Sequence, residues 1–135
     1  MKIIVLKGRG DCGKSETLGI HLRRILKERN DIPYKKCWKD TRESIEVNGK
    51  VIDICPSGDN KDEVNKNISF IERYPCDVVF TATRTRGRGC LVLEVFAKDK
   101  GAKLIEIWKH YNDDLDEDGQ TKANKKLAEE LLKMI

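Results

Sequence analysis

A glycine-rich segment that ends in Lys-Ser, directly after a short apolar run, constrains this chain more than any other feature. The apolar run lies within residues 1–7 and predicts a short buried strand. The segment has the spacing G-x-x-x-x-G-K-S and reads Gly8-Arg9-Gly10-Asp11-Cys12-Gly13-Lys14-Ser15. Residues 14–29 then show helical spacing of Leu18, Leu22, Ile25 and Leu26. The start of the chain therefore predicts a strand, a tight turn and a helix, in that order.

This spacing is the phosphate-binding loop motif, and each part of it has a chemical role. Backbone N–H groups of the turn point into a concavity, where they bind phosphate oxygens. The positive end of the following helix dipole adds to that attraction. We expect Lys14 to contact the β- and γ-phosphates and Ser15 to hold Mg²⁺. The predicted nucleotide-binding residues are Gly8, Arg9, Gly10, Asp11, Cys12, Gly13, Lys14, Ser15 and Glu16.

The same segment also contains a dinucleotide fingerprint, Gly8-x-Gly10-x-x-Gly13. That fingerprint requires an acidic residue about 20 positions further on, at the end of a second strand. Asp31 lies near that distance, but it sits in Asn-Asp-Ile-Pro, a pattern typical of a helix exit. The fingerprint also leaves Lys14 and Ser15 without a role, so the triphosphate interpretation is favoured.

Composition limits the remaining possibilities. The chain has 135 residues, which suits a single domain over 1–135, and it is 39% hydrophobic and 37% charged. No apolar run approaches the ~20 residues of a membrane span, so no membrane partner is expected. The five cysteines include no C-x-x-C pair, which argues against a disulfide framework and a zinc site. A reducing cytoplasm is the simplest location.

Hydrophobic patterning predicts further strands alternating with helices. Residues 44–47 and 51–55 flank Asn48-Gly49, the strongest hairpin signal, and we expect the second strand of the hairpin beside the first strand of the chain. A helix is predicted to about residue 73 with Asp59 or Asn60 as its cap, and residues 76–82 form an apolar strand.

The last third of the chain is patterned less clearly. Residues 91–99 suit a strand by composition, but the crossover needed before the next parallel strand favours a helix. Residues 102–108 predict a strand and residues 120–134 a helix. The whole pattern predicts an α/β fold, a three-layer sandwich with a mostly parallel sheet. Ligands bind such sheets at the carboxyl ends of the strands.

A second acid is needed to help Ser15 hold Mg²⁺, and two aspartates are candidates. Asp59 lies just past the strand at 51–55, at the sheet edge where phosphates bind. Asp53 lies within that strand and would reach the edge only if the strand ended early. Asp59 is therefore favoured, and Asp53 stays an alternative metal ligand.

Three arginines alternate in residues 83–89, which also contain two glycines. Arginine stays charged and its planar fork matches phosphate oxygens. We expect Arg84 and Arg86 to stabilise charge during phosphoryl transfer. A solvated loop, or a nucleic-acid contact made by Arg84, Arg86 and Arg88, remains open, with nucleic acid not favoured.

Two features near the end of the last strand have alternative interpretations. Trp108, His110 and Tyr111 could stack on a nucleobase or pack at the rim of the core. The acidic residues at 113–118 lack the full pattern of a calcium-binding loop. We expect them to form a solvated loop before the last helix.

The motif in its strand–loop–helix context resembles the P-loop NTPase superfamily, in particular its compact single-domain members. The match covers residues 2–26, with Gly8, Gly13, Lys14 and Ser15 at the motif positions. The resemblance implies a nucleoside triphosphate and Mg²⁺ as ligands. No base-reading Asn-Lys-x-Asp occurs, so ATP is favoured over GTP. The implied activity is ATP hydrolysis or small-molecule phosphotransfer. The alternative is a nucleotide-dependent binding module that acts on a partner protein or nucleic acid with little turnover of its own.

Overall fold

Strands and helices alternate along most of the chain, and the computed structural model describes all residues from 1 to 135. The strands are β1 (Lys2–Lys7), β2 (Glu43–Val47), β3 (Lys50–Cys55), β4 (Val78–Thr83) and β5 (Lys103–Trp108). The α-helices are α1 (Arg23–Arg29), α2 (Lys61–Arg73), α3 (Arg88–Asp99) and α4 (Glu117–Leu132). A π-helical segment, Glu16–Leu22, runs directly into α1.

The five strands form one mostly parallel sheet in the order β2-β3-β4-β1-β5. β1 is parallel to both of its neighbours, β4 and β5, and β3 is parallel to β4. β2 pairs antiparallel with β3 at the edge, and Asn48 and Gly49 both have positive φ in the turn between them. The hairpin predicted from Asn48-Gly49 is therefore confirmed, because a tight two-residue turn of this type requires positive φ at both positions.

The expectation that β3 lies beside β1 is wrong. β4 lies between them, with Val79 paired to Ile3 on one side and to Asp53 on the other. Every residue of β4 is buried. A short crossover through α2 joins β3 to β4, its direct neighbour in the sheet. Consecutive elements of a chain are usually neighbours in space. The most apolar strand thereby takes a central position next to β1.

Helices cover both faces of the sheet, an arrangement compatible with a three-layer sandwich. Alternate side chains of β1 point to opposite faces. Ile4 and Leu6 join a core with the π-helical segment, α1 and α4. Ile3 and Val5 join a second core with α2 and α3. No helix is long and apolar enough to cross a membrane.

The helix boundaries refine the sequence predictions. Residues 91–99 are helical and belong to α3, as the crossover argument indicated. α4 begins at Glu117, earlier than expected, because Asp116 accepts a hydrogen bond from the Gly119 N–H at 2.7 Å and so caps the helix. Asn60, rather than Asp59, caps α2.

A buried arginine fastens the connection between α1 and β2 to the body of the protein. Arg23 is fully buried, and its guanidinium donates to the carbonyls of Gly19 and Thr41 and to Glu43 Oε1, the last at 2.8 Å. Lys27 Nζ lies 2.6 Å from the other oxygen of Glu43. Burial acts to raise the pKa of Glu43, but the two cations outweigh it and hold that pKa below its usual value.

Replacing Arg23 tests this network. Arg23→Ala is expected to lower the free energy of unfolding by about 3 kcal/mol, because it leaves one oxygen of the half-buried Glu43 carboxylate and the Thr41 carbonyl without their donor. Arg24→Ala is the matched control, since Arg24 forms an exposed pair with Glu28 and lies over the Tyr34 ring but has no buried partner. It is expected to cost no more than about 0.5 kcal/mol. Urea unfolding followed by circular dichroism measures both, and equal losses would contradict a special role for Arg23.

Candidate functional site

The glycine-rich loop, residues 8–15, is held at the carboxyl edge of the sheet by the strands on either side of β1. The Gly8 N–H donates to the Thr83 carbonyl at the end of β4, at 3.3 Å. The Lys109 N–H, just past β5, donates to the Lys7 carbonyl at 2.7 Å. The loop therefore begins between two parallel strand ends, the position at which ligands of such sheets bind.

The loop leaves a group of backbone donors unused. No N–H group of residues 9–13 donates to another backbone group. Asp11 and Gly13 have positive φ, at 57° and 98°, and so the chain bends sharply around a hollow. Two features favour glycine at position 13: its φ is positive, and a Cβ there would lie 2.9 Å from Asn124 Oδ1. Successive free N–H groups in such a bend form a concavity suited to an anion.

Lys14 lies against the first residues of this loop. Its ammonium donates to the carbonyls of Gly8 and Arg9, at 2.5 and 3.1 Å, and lies 3.7 Å from Asp59 Oδ1. The side chain is only 5% exposed. Burial lowers the pKa of Lys14, while Cys12 and Asp59 oppose that change. A partly desolvated cation on the same loop as the free N–H groups favours a negatively charged ligand.

A cavity of about 270 Å³ opens beside Lys14, and we call it the loop cavity. The loop forms one wall of it, and Ser57 and Asp59, which follow β3, form a second. Trp38, Lys39 and Asp40, from the connection between α1 and β2, form the third. The structure thus brings the predicted residues Lys14, Ser15 and Asp59 to one cavity.

The third wall is fixed by a close backbone approach. A Cβ at position 19 would lie 1.6 Å from the Lys39 carbonyl oxygen, so only glycine allows the connection to pack against the π-helical segment there. Lys39 Nζ also donates to Glu16 Oε1 at 2.7 Å. Burial acts to raise the pKa of Glu16, but the hydrogen bond and charge of Lys39, a backbone hydrogen bond and the charge of Lys109 together outweigh it, and the pKa is lowered. Glu16 is therefore an ionised partner of this wall.

Asp40 is a site residue that sequence reasoning missed. Its Oδ1 atom is buried without a hydrogen-bond partner, and the residue lines the loop cavity. A buried polar atom without a partner is costly unless a ligand satisfies it. Asp40 lies in a stretch without regular hydrophobic spacing, so no pattern in the sequence distinguished it from the other aspartates.

The oxygen donors of the loop cavity fit a magnesium ion. Ser15 Oγ lies 3.5 Å from the Pro56 carbonyl oxygen, a weak contact that leaves the hydroxyl available. Asp59 and Asp40 supply carboxylates from the other walls. No group of three or more His, Cys, Asp or Glu side chains is arranged to hold a metal by itself. Magnesium does not need one, because it is commonly held by one or two carboxylates together with substrate phosphates and water.

Asp53, the alternative metal ligand, lies apart from these donors. It is fully buried within β3, and neither carboxylate oxygen has a hydrogen-bond partner. Burial raises its pKa, which the neighbouring Ser44 and Cys76 only partly offset. It does not line the loop cavity. Of the two predicted aspartates, the structure brings only Asp59 to Lys14.

The three arginines of residues 83–89 divide between two places. Arg84 Nε lies 3.4 Å from Asp59 Oδ1, and a Cβ at position 10 would lie 2.7 Å from Arg84 Nη2. Arg84 therefore lies over the glycine-rich loop. Arg86 and Arg88 line a neighbouring cavity of about 250 Å³, which Arg84 and Asp59 also reach. We call it the arginine cavity.

A larger cavity of about 410 Å³, the side cavity, lies on the other side of the loop, against α4. Asn124 lines it, is 7% exposed, and has an Oδ1 atom without a partner. Tyr111 also lines it and stacks with Arg9, whose Cζ lies 5.1 Å from the ring centre. Trp108 instead packs over Lys7, and His110 lies with it in a smaller surface depression. Of the three residues suggested for base stacking, the side cavity includes Tyr111 alone.

The buried carboxyl of Asp53 generates a pH-dependent prediction. Because its folded-state pKa is raised, the folded protein holds this proton to a higher pH than the unfolded chain, and ionisation costs stability as pH rises. Asp53→Asn removes that cost. The unfolding free energy of the variant minus that of the wild type is expected to increase as pH rises above about 4, the pKa of an aspartate in the unfolded chain. Urea unfolding at several pH values measures it, and a difference independent of pH would contradict a buried neutral acid.

Comparison with known protein families, with curated proteins and with solved structures found no match to this chain. A functional assignment therefore depends on the chain's own residues. The residues that bear on it are the free donors of the glycine-rich loop, the buried Lys14, and the acids and arginines around the loop.

Proposed function

We propose that this protein is a P-loop nucleotide-binding protein that binds Mg²⁺·ATP and hydrolyses it or transfers its γ-phosphate. The observation that carries the proposal is the set of unused N–H groups of residues 9–13 on the same loop as the buried Lys14 ammonium. Both kinds of donor suit phosphate oxygens, and a helix begins immediately behind them. The position between the ends of β4 and β5 agrees with ligand sites in parallel sheets.

Each loop residue has a role under this proposal. Residues 9–13 bind phosphate oxygens through their free backbone N–H groups, and Lys14 exchanges the carbonyls of Gly8 and Arg9 for the β- and γ-phosphates. Cys12 is 2% exposed and packs beneath the loop at Gly8. Glu16 contributes indirectly, because it holds Lys39 and thereby the third wall of the loop cavity.

Ser15, Asp59 and Asp40 are the residues that would hold Mg²⁺ beside the phosphates. The ion would supply charge neutralisation of the phosphate oxygens and orient them. The protein's own contribution is to aim two carboxylates and one hydroxyl at the same cavity.

Arg84 is the residue best placed to stabilise charge that develops during transfer. It lies over Gly10 and pairs with Asp59, so its guanidinium borders the loop proposed to bind the phosphates. A positioned arginine acts on the transferring phosphoryl group without having to be ordered at the moment of reaction. The catalytic role predicted for Arg86 has less support, because Arg86 makes neither the ion pair with Asp59 nor the close approach to Gly10 that Arg84 makes.

A binding module with little turnover is the second candidate function. It is favoured by Trp38, which lines the loop cavity and yet is 68% exposed. An exposed aromatic on the wall nearest the nucleotide is suited to contact a partner protein. Measuring ATP turnover of the isolated protein separates the candidates, because sustained turnover favours the enzyme and its absence favours the module.

Lys14→Ala tests the nucleotide site. The variant is expected to bind Mg²⁺·ATP about 10- to 100-fold more weakly, because it loses charge-assisted contacts to phosphate. Calorimetry measures the affinity, and circular dichroism checks that the fold is retained. Lys122→Ala, on the exposed side of α4, is the control and should bind as the wild type does. Unchanged affinity in a folded Lys14→Ala variant would disprove the nucleotide site.

Arg84→Ala tests the catalytic role. Turnover is expected to fall about 100-fold while the affinity for Mg²⁺·ATP changes little, because the interaction strengthens only as charge develops. Single-turnover kinetics and nucleotide titrations on the same variant separate the two quantities. Arg73→Ala, at the far end of α2, serves as the control. A loss of affinity equal to the loss of rate would assign Arg84 to ground-state binding instead.

A further inference from the structure

The arginine cavity concentrates positive charge that the protein does not neutralise. Its charged lining residues are Asp59, Lys61, Arg84, Arg86 and Arg88. Asp59 is the single acid among them, and it already lies within ion-pair distance of Lys14 and Arg84. The side chains of Lys61, Arg86 and Arg88 have no acidic partner within 4.0 Å. Three cations therefore converge on about 250 Å³ without a counter-charge.

The start of α3 adds to this imbalance. Its N-cap is Gly87, which has no side chain to accept from the first N–H groups, and the first turn contains no acidic residue. Gly87, Arg88, Gly89 and Cys90 all line the arginine cavity. α2 differs, because Asn60 caps it and two acids lie in its first turn. The uncapped helix end reinforces the attraction that the arginines exert on an anion.

The cavity is separate from the glycine-rich loop but adjoins it. Asp59 is the one residue that lines both the loop cavity and the arginine cavity. Gly58 permits this, because a Cβ there would lie 1.6 Å from the Ala82 carbonyl oxygen and would push the loop that follows β3 away from the end of β4. A molecule anchored in the arginine cavity would thus extend past Asp59 toward the position proposed for the γ-phosphate.

We propose that the arginine cavity binds the phosphate group of a small second substrate, which Arg86 and Arg88 hold next to the nucleotide. Arginine forks match phosphate oxygens and stay charged at any physiological pH. The cavity volume suits a single phosphate group with a few attached atoms. This inference rests on the proposed function, because a second substrate presupposes a bound nucleotide. It favours phosphotransfer over simple hydrolysis.

Inorganic phosphate is the probe for this site, measured by calorimetry on the full chain. With the loop saturated by Mg²⁺·ADP, the wild type is expected to bind one further equivalent of phosphate. Arg88→Gln is expected to weaken that binding at least about tenfold, and Arg88→Lys, which keeps the charge but loses the fork, less so. Arg73→Gln is the control and should leave phosphate binding unchanged. Equal phosphate affinity in the wild type and Arg88→Gln would overturn the proposal.

Lys14→Ala distinguishes a failure of this inference from a failure of the proposed function. Suppose that Mg²⁺·ADP does not bind, that the Lys14→Ala variant still binds phosphate, and that the Arg88→Gln variant does not. The nucleotide proposal then fails, while the proposal that the arginine cavity binds phosphate is supported. A ten-nucleotide single strand provides the competing test. If it displaces phosphate, loses affinity steeply with salt and depends on Arg88, the cavity belongs to a nucleic-acid surface, and the small-substrate proposal is wrong.

Discussion

The hydrogen bonding of β1 on both sides is the constraint on which the candidate site depends. Because β4 and β5 are both parallel to β1, all three strands end at the same edge of the sheet. The loops that follow them, at residues 8–15, 84–87 and 109–116, are thereby brought together although they are far apart in sequence. The bonds from Gly8 to Thr83 and from Lys109 to Lys7 extend this pairing into the loops themselves.

Charge compensation then organises the loops around Lys14. Its ammonium lies in a hollow of carbonyl oxygens, and Asp59 links it to Arg84 on the opposite side. Half-exposed Asp59 is the single acid facing two cations there, so the cluster retains positive charge. An incoming phosphate would supply the missing negative charge, and Asp59 would be released toward the metal. A bound phosphate would therefore replace the contacts that Lys14 makes with carbonyl oxygens and with Asp59 in the unliganded loop.

Features that local sequence patterns control were predicted correctly, whereas features that depend on packing between distant parts of the chain were not. The glycine-rich loop, the hairpin at Asn48-Gly49 and the helical character of residues 91–99 followed from spacing and turn chemistry. The position of β3 did not, because strand order depends on which apolar strand is buried most completely, and β4 is buried along its whole length. From the sequence, Asp53 and Asp59 could be ranked as metal ligands only by their positions relative to the strand. The burial of Asp53 could not be predicted, because it results from assembly of the sheet.

Asp40 shows why the third wall of the site could not be found from the sequence. The wall is held at three points that are remote from one another in sequence: the Gly19 backbone approach, the Lys39–Glu16 ion pair and the bond from Arg23 to the Thr41 carbonyl. None of these pairs has a local signature, because each joins a helix position to a residue more than fifteen places away. Once they form, Asp40 is left facing the loop cavity with an unsatisfied oxygen. The buried arginine that stabilises the fold therefore also holds the segment that contains Asp40 beside the proposed nucleotide site.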